Sequence, residues 1–339
     1  MTKFETSELK GIGILFMLCH HCFNSEALDY IPVISIGGIG LCNILQSLTN
    51  PVYIFLILSG YGIYMSFKNN RLHGSWGGRE FHRVFKLYLK YWIVLLIFAI
   101  GLGSFVCPNV YPGDIKTIFY NFSGYNPNRY DSAAWFLLPW CVLIIFCPYM
   151  LKILEKYPKH TMAISMLLWV FTICIKRYLG VYSEWALYLA LCTVSFIFPF
   201  LLGSIMAKYE IFEQFKEIFG RKKILWSSVF LLLIIVRYYI SLTHILFVIS
   251  VLLFYFVIKK PQLVSSVLNE LGSKSASMWL IHQFYCKYIF NDYLYSLKYS
   301  LLIYIVLVLV SYLSAYAIDF LYNKLILSFG YGSKKLRKA

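Results

Sequence analysis

The feature that most constrains this chain is the recurrence of long apolar segments along nearly its whole length. A helix needs about 20 mostly apolar residues to cross the hydrocarbon core of a bilayer. Ten segments come near or exceed that length: 9–24, 50–67, 87–106, 134–151, 161–179, 185–207, 224–240, 242–258, 275–291 and 299–323. Because they lack a strict alternation of period two, they favour helices over a β-barrel. The sequence therefore predicts an all-α, polytopic transmembrane bundle of about ten helices.

The composition excludes a soluble globular protein. Of the 339 residues, 60% are apolar and 14% are charged, whereas a soluble domain has about 25% charged residues. A water-soluble chain of this length could not cover so much apolar surface, since it also needs a polar exterior. No linker, repeat or soluble module interrupts the sequence, so we expect a single transmembrane domain over residues 1–339.

The distribution of basic residues predicts the orientation of the bundle. With the N-terminus in the cytoplasm, the ten segments place 24 of the 31 lysines and arginines on the cytoplasmic side. The positive-inside rule gives this bias for an even number of helices with both termini in the cytoplasm. The net charge of +16 therefore indicates topology, and we expect membrane lipids rather than nucleic acid as partners.

Two predicted loops have a composition that suggests function. Residues 107–133 form the longest outward loop, and loops of this length often act as lids or binding loops. A simple connector is an equal alternative. Residues 68–86 form a basic cytoplasmic loop, which predicts contact either with anionic lipid head groups or with a phosphorylated cofactor.

Two histidines in the first segment are candidates for chemistry, because ionisable groups inside membrane spans are costly and commonly functional. His21 follows Lys10 by eleven residues, which is close to three helical turns, so both lie on one face about 16 Å apart. The imidazole of His21 can act as a general base near neutral pH, and a structural role is its alternative. His20 is rotated by about 100° and is expected to pack or to bond between helices.

The run from Cys19 to Cys22 contains two cysteines and two histidines, which are common metal ligands. Four consecutive residues of a helix point in four directions, so they cannot all bind one ion. No second pair of cysteines at this spacing completes a site. We therefore expect no metal.

Six segments carry recognisable patterns in a fixed order over about 270 residues. They are LKGIGILFMLCHHCF with Lys10 and His21, YIFLILSGYGIYMSF (53–67), FHRVFKLYLKYW (81–92), AAWFLLPW (133–140), FPFLLGSIMA (198–207) and LGSKSASMWLIHQF (271–284). Together they resemble the membrane acyltransferase-3 family. Its members are integral membrane enzymes that transfer acetyl or other acyl groups from coenzyme A, commonly to sugars of surface polysaccharides.

This resemblance implies a membrane O-acetyltransferase that uses cytoplasmic acetyl-CoA as acyl donor. The implied acceptor is a hydroxyl of a cell-surface polysaccharide or of its lipid-linked precursor, and the implied location is the bacterial inner membrane. A lipid, a peptidoglycan sugar or a small metabolite is an alternative acceptor. A transporter or flippase of glycans is the alternative outside the enzymes, and an oligomer stays open.

The resemblance also implies roles for individual residues. His21 would remove a proton from the acceptor or carry the acyl group itself. Coenzyme A phosphates would be bound by the basic residues Lys10, Arg83, Lys86 and Arg79. The acceptor or the acyl chain would contact Trp135, Phe136 and His282, although interfacial packing explains the aromatic pair and bonding between helices explains His282 as well.

The sequence departs from the family pattern at two positions of the third segment. Lys86 stands where the family often has the second arginine of an RxxR motif, so a phosphate contact there would lack the bidentate fork of arginine. Leu89 stands where a proline is common, which predicts an unkinked helix at that position.

Overall fold

The computed structural model of the chain describes residues 1–23, 30–48, 50–70, 78–178, 180, 184–221, 223–240 and 244–328. Residues 71–77 of the basic loop and the basic tail from Lys334 to Lys338 lie outside this described part. The first half contains α1 (Lys3–Cys22), β1 (Ser35–Ile36), β2 (Ile39–Gly40), α2 (Leu41–Leu48), α3 (Pro51–Asn70), α4 (Arg79–Val94), a π-helix (Leu95–Gly103), α5 (Ser104–Val106), α6 (Ile115–Phe122) and α7 (Leu137–Lys156). Short 3₁₀ helices at Pro127–Arg129 and Ser132–Phe136 precede α7.

The second half of the chain is also helical. It contains α8 (Pro158–Tyr178), α9 (Trp185–Lys208), α10 (Ile211–Arg221), α11 (Lys223–Tyr239), α12 (His244–Val257), α13 (Gln262–Gln283), a π-helix (Phe284–Tyr288), α14 (Asn291–Tyr295) and α15 (Ser300–Ser328). The strands β1 and β2 form one antiparallel pair of two residues each. The prediction of an all-α architecture is confirmed.

Several helices have the length and hydropathy of membrane spans. Within the described ranges, five pass this test: Arg79–Val106, Ser132–Lys156, Pro158–Tyr178, Trp185–Lys208 and Ser300–Ser328. A sixth arises if Leu41–Ser47 and Pro51–Asn69, which meet at 48°, form one broken span. The apolar helices Ile224–Tyr239 and His244–Val257 are shorter. The chain thus has membrane-spanning helices, while the total of ten stays a prediction.

Helices α1 and α13 lie side by side and run in the same direction. Near their N-terminal ends, Ser7 Oγ donates to the carbonyl of Asn269 at 2.9 Å. Near their C-terminal ends, His21 meets Gln283 at 3.1 Å. This parallel arrangement agrees with the predicted alternation, in which both helices cross the membrane from the same side.

The third predicted segment is continuous through Leu89, since α4 extends to Val94 without interruption. The irregular part follows directly as the π-helix Leu95–Gly103. There the Phe98 ring stacks on Phe284 of the second π-helix, with centroids 5.0 Å apart. The expectation of an unkinked helix at Leu89 is therefore confirmed.

The loop 107–133, called the cap below, folds back along α4. Tyr91, Tyr88 and Trp92 of α4 donate hydrogen bonds to backbone carbonyls of this loop at 2.7, 2.8 and 2.9 Å. The acceptors are Asn121, Ser123 and Phe122. Because three side chains of one helix hold it, the loop is an ordered part of the fold rather than a simple connector.

Candidate active site

A narrow cavity of about 190 Å³ lies between α1, α3, α4, α7 and α13. Most of its lining is apolar and includes Met17, Phe136, Trp140 and Trp279. Lys10 places a positive charge at its wall. Ordinary ligand pockets occupy about 300–1,000 Å³, so this cavity suits a slender chain rather than a sugar.

A second cavity of about 610 Å³ adjoins the first at Lys10, which lines both. Its wall is more polar and includes Thr6, Ser7, Ser66 and Ser273. The two cavities follow one another along α1, from the polar end beside Ser7 to the apolar end beside Met17.

Arg83 is the basic residue of α4 that the structure brings to the polar cavity. Its Nη2 donates to Ser66 Oγ at 3.2 Å, and Ser66 lines that cavity. Its Nη1 lies 3.9 Å from the Glu80 carboxylate. Arg79 is exposed at the start of α4 and Lys86 is half-buried. Like Arg83, neither is among the described residues that line either cavity.

The apolar cavity ends one helical turn below His21. Met17 and His21 are four residues apart on α1, as are Trp279 and Gln283 on α13, and this spacing corresponds to about 6 Å along each axis. Lys10 and Met17 line the same cavity, so the face of α1 that carries Lys10 leads along the cavity to the imidazole.

His21 is the end of a chain of hydrogen bonds that joins three parts of the fold. Its Nδ1 lies 3.1 Å from Nε2 of Gln283, the last residue of α13. Gln283 Oε1 accepts from Ser132 Oγ at 2.7 Å, at the edge of the cap. Lys287 Nζ in turn donates to Ser132 Oγ at 2.9 Å.

The other two histidines near this point have different partners. His20 bonds through Nδ1 to the carbonyl of Gln46 in α2 at 3.1 Å, which fits the predicted bond between helices. His282 is fully buried, and its ring centroid lies 5.1 Å from that of His21. Its Nδ1 donates to the carbonyl of Trp279 in its own helix at 2.7 Å, while Nε2 has no hydrogen-bond partner among the described residues.

The two predicted aromatic contacts separate in the structure. Phe136 lines the apolar cavity and packs edge-on against Trp279, with ring centroids 5.5 Å apart. Trp135 does not line this cavity in the described part of the chain. Its ring packs against Tyr188 and Phe196. Of the pair, Phe136 is the residue positioned to contact a molecule in the cavity.

Asp131 adds a buried carboxyl group beside Ser132. It is fully buried, and its Oδ1 accepts from the backbone N–H of Ala133 at 3.0 Å. Its Oδ2 has no hydrogen-bond partner among the described residues. Burial away from water raises the pKa of Asp131 to about 8, because the charged form loses its hydration.

Ser132, Gln283 and Lys287 were not among the residues predicted from the sequence. Gln283 directly follows the predicted His282, and it lies in the same segment, so its motif was a usable signal. Ser132 had no comparable signal, because it contacts Gln283 across 151 positions of the chain.

The run from Cys19 to Cys22 spreads its side chains around α1. His20 faces α2, His21 faces α13, and both cysteines are buried. Among the residues that the structure describes, no three His, Cys, Asp or Glu side chains come together as metal ligands would.

A family model described as an acyltransferase domain matches residues 9–320. The match begins in α1 before Lys10 and ends in α15, so it includes His21, Gln283 and the residues of α4 and α7 that line the cavities. No curated protein and no solved structure matches the chain significantly.

Proposed function

The chain belongs to the acyltransferase-3 family of membrane acyltransferases, and from that premise we propose that it is an acetyl-CoA-dependent O-acetyltransferase. Its proposed acceptor is a hydroxyl of a cell-surface polysaccharide or of the lipid-linked precursor. The observation that carries the proposal is the pair of cavities that meet at Lys10 and lead along α1 towards His21. A polar end and a slender apolar end suit the phosphates and the pantetheine arm of coenzyme A.

The donor side is proposed to lie at the polar cavity. Lys10, which lines this cavity, and Arg83, which donates to the cavity-lining Ser66, would bind the phosphates, with Lys86 and Arg79 contributing charge from α4. The pantetheine arm would then extend past Phe136 and Trp279 towards His21. The thioester would arrive next to the imidazole.

The reaction we propose is direct transfer with His21 as general base. His21 removes the proton from the acceptor hydroxyl, the oxygen attacks the thioester carbonyl carbon, and the C–S bond breaks. The coenzyme A thiolate leaves and regains the proton, so an ester and a free thiol result. A second route gives the same products through an acyl-imidazole on His21, which the acceptor oxygen then attacks.

His282 and Trp135 have subsidiary places in this proposal. The unpaired Nε2 of His282 lies beside His21 and would accept a hydrogen bond from the acceptor. Trp135 would support Phe136 through the aromatic cluster that they share. The proposed location is the bacterial inner membrane, with ten spans and both termini in the cytoplasm.

The direct test is transfer of radiolabelled acetyl groups from acetyl-CoA by the purified protein to glycan acceptors. Removal of a general base costs about 10²–10⁴-fold in rate, so we expect His21→Ala to abolish measurable transfer while the protein still inserts. His20→Ala, whose imidazole bonds to α2, is the matched control and should retain more activity.

Wild-type turnover in His21→Ala would refute the assignment, and equal losses in both variants would remove the distinction between the two histidines. Mass spectrometry of surface glycans from cells with and without the protein identifies the acceptor. Loss of acetyl esters from a polysaccharide supports the proposal. Altered glycan export with unchanged acetylation would indicate a transporter instead.

A further inference from the structure

In the hydrogen-bond chain at His21, one assignment of donors and acceptors starts from Lys287. Lys287 carries an ammonium group, which only donates. Ser132 Oγ accepts from it at 2.9 Å and donates its own proton to Gln283 Oε1 at 2.7 Å. The amide N–H of Gln283 therefore faces Nδ1 of His21 at 3.1 Å. A neutral His21 in this arrangement carries its proton on Nε2.

The same heavy-atom positions permit a second arrangement. If the Gln283 amide turns over, Oε1 accepts from an Nδ1–H of His21 and Nε2 donates to Ser132 Oγ. A serine oxygen has two lone pairs, so it can accept from Lys287 and from Gln283 together. In this arrangement Nε2 of His21 is unprotonated and can act as a base.

We propose that Gln283 is a positioning residue that sets which ring nitrogen of His21 carries the proton, and that Ser132 and Lys287 hold its amide. The inference rests on the proposed function, because it deepens the role given to His21. The heavy-atom positions fit both arrangements: the resting one has the Gln283 amide N–H at Nδ1 of His21, and the reactive one has Gln283 Oε1 at Nδ1–H. Gln283 thus accepts a hydrogen bond from Nδ1–H of His21 and leaves Nε2 unprotonated, as a carboxylate does for the histidine in many other catalytic pairs.

The charges around His21 explain why a neutral amide at Gln283, rather than a carboxylate, matters for the protonation of the imidazole. The titratable groups that face it are His20 on its own helix, His282 of α13 and Lys287 of the second π-helix. No carboxylate of the described residues is among them. Replacing the neutral amide by a carboxylate would therefore add the first negative charge next to the imidazole and favour its protonated form.

The test compares Gln283→Glu and Gln283→Leu with the same two substitutions at Gln262, an exposed residue at the other end of α13. Gln283→Leu should lower kcat about 100-fold or more with little change in KM for acetyl-CoA. Gln283→Glu should keep much of the activity, since its oxygen still accepts from Nδ1–H. In the Gln283→Glu variant, kcat should fall on the acid side of the pH profile at a pH about one unit higher than in the wild type.

A residue with a merely structural role would not move the pH profile. A Gln283→Leu protein with wild-type kcat, or a Gln283→Glu profile that superimposes on the wild type, would overturn the proposal. Both Gln262 variants should behave as wild type, and thermal unfolding in detergent verifies that each variant is folded.

A readout independent of turnover separates this inference from the proposed function. Nitrogen NMR of ¹⁵N-histidine-labelled protein reports which ring nitrogen is protonated, and the His21→Ala spectrum identifies the His21 signals. We expect Gln283→Leu to change the ratio of the two tautomers of His21. If the wild type transfers no acetyl group but the ratio changes, the proposed function fails and the positioning stands. An unchanged ratio overturns the positioning.

Discussion

The basic side chains at the polar end of the bundle differ in what neutralises them. Lys90 Nζ and Lys274 Nζ lie 2.7 and 3.3 Å from the Asp319 carboxylate. Arg83 has a carboxylate at 3.9 Å, and Lys10 has no acidic partner among the described residues. A cation that faces a cavity without a close counter-ion is the better binder of an incoming phosphate. Lys10 is therefore favoured as a donor contact, and Arg83, with its longer ion pair, is favoured over Lys90 and Lys274.

Replacement of Arg83 should affect the donor more than the acceptor. A hydrogen bond to a charged group contributes about 1.5–3 kcal/mol, which corresponds to roughly ten- to more than a hundredfold in affinity. We expect Arg83→Ala to weaken acetyl-CoA binding by this amount, as measured by titration of the protein in detergent. Lys86→Arg should be tolerated or should tighten binding, because it restores the planar fork.

Arg79→Ala provides the comparison for this prediction, since Arg79 is exposed, whereas Arg83 is half-buried and donates to Ser66, which lines the polar cavity. Its loss in affinity should be smaller than that of Arg83→Ala. Unchanged affinity in correctly inserted Arg83→Ala protein would mean that the basic residues of α4 serve topology alone.

Spacing along one helix was predictable from the sequence, whereas partners from distant segments were not. The eleven positions between Lys10 and His21 place both on one face by helical geometry alone. Both Trp135 and Phe136 pack against Phe196 of α9, and only Phe136 also meets Trp279 of α13 at the cavity, a contact to which no local pattern points.

At the scale of helices, small residues set the closest approaches. A methyl group on Gly60 of α3 would overlap the carbonyl oxygen of Phe200 in α9, and one on Gly203 would overlap that of Ile57. The same holds between α1 and α13, where Gly11 and Gly272 meet the opposing backbone. Small residues at contacts between membrane helices allow such close packing.

Gly60 and its neighbour Gly62 offer a matched pair of substitutions in α3. Overpacking typically costs about 1–3 kcal/mol, so we expect Gly60→Ala to lower the thermal unfolding temperature in detergent. Gly62→Ala should be neutral or stabilising by up to about 1 kcal/mol, because alanine favours a helix and no atom of the described residues lies within 4 Å of its added methyl group. Equal stability of the two variants would contradict the close approach of α3 and α9.

The cap formed by residues 107–133 should make stability depend on pH through Asp131. Its pKa rises on folding from 3.8 to about 8, so the folded state keeps a proton that the unfolded state releases between these values. Stability should therefore fall as pH rises from about 4 to about 8 and level off above, with a slope of up to about 1.4 kcal/mol per pH unit. Thermal unfolding measured from pH 5 to 8 reveals the slope.

Asp131→Asn should flatten this dependence, because an amide of the same shape does not titrate. Asp114→Asn is the control: a hydrogen bond from Thr117 lowers the pKa of Asp114, so its titration lies below the measured range. A slope that persists in Asp131→Asn would assign the effect to another group.

The shape of the cap illustrates which elements a sequence specifies. Its length identified it as a candidate binding loop, but its attachment depends on hydrogen bonds from α4 to backbone carbonyls, which have no side-chain signature. The second π-helix also has no recognisable sequence signal, although it places Lys287 within hydrogen-bond distance of Ser132. Apolar periodicity predicts helices well, whereas it says little about how their ends are joined.

At the scale of the whole molecule, contacts between helices constrain the topology. Because α1 and α13 run parallel, an odd number of crossings lies between them if both span the membrane. His21, Gln283 and the cap then lie at the same side, three helical turns from Lys10. A cytoplasmic N-terminus would put the donor cavity inside and the hydrogen-bond chain of His21 at the outer side, where a surface glycan would approach.

Reporter fusions test this orientation together with the number of spans. Alkaline phosphatase is active only outside the cytoplasm, so we expect activity for fusions after Ser123 in the cap and none after Lys159 between α7 and α8. The reverse pattern would invert the bundle and place the acceptor side in the cytoplasm. A fusion after Ile240 decides the count, because α11 and α12 have only 17 and 14 residues. Activity of this fusion supports ten spans. If it is inactive while the other two fusions behave as expected, the chain has eight spans, and α1 and α13 still run parallel.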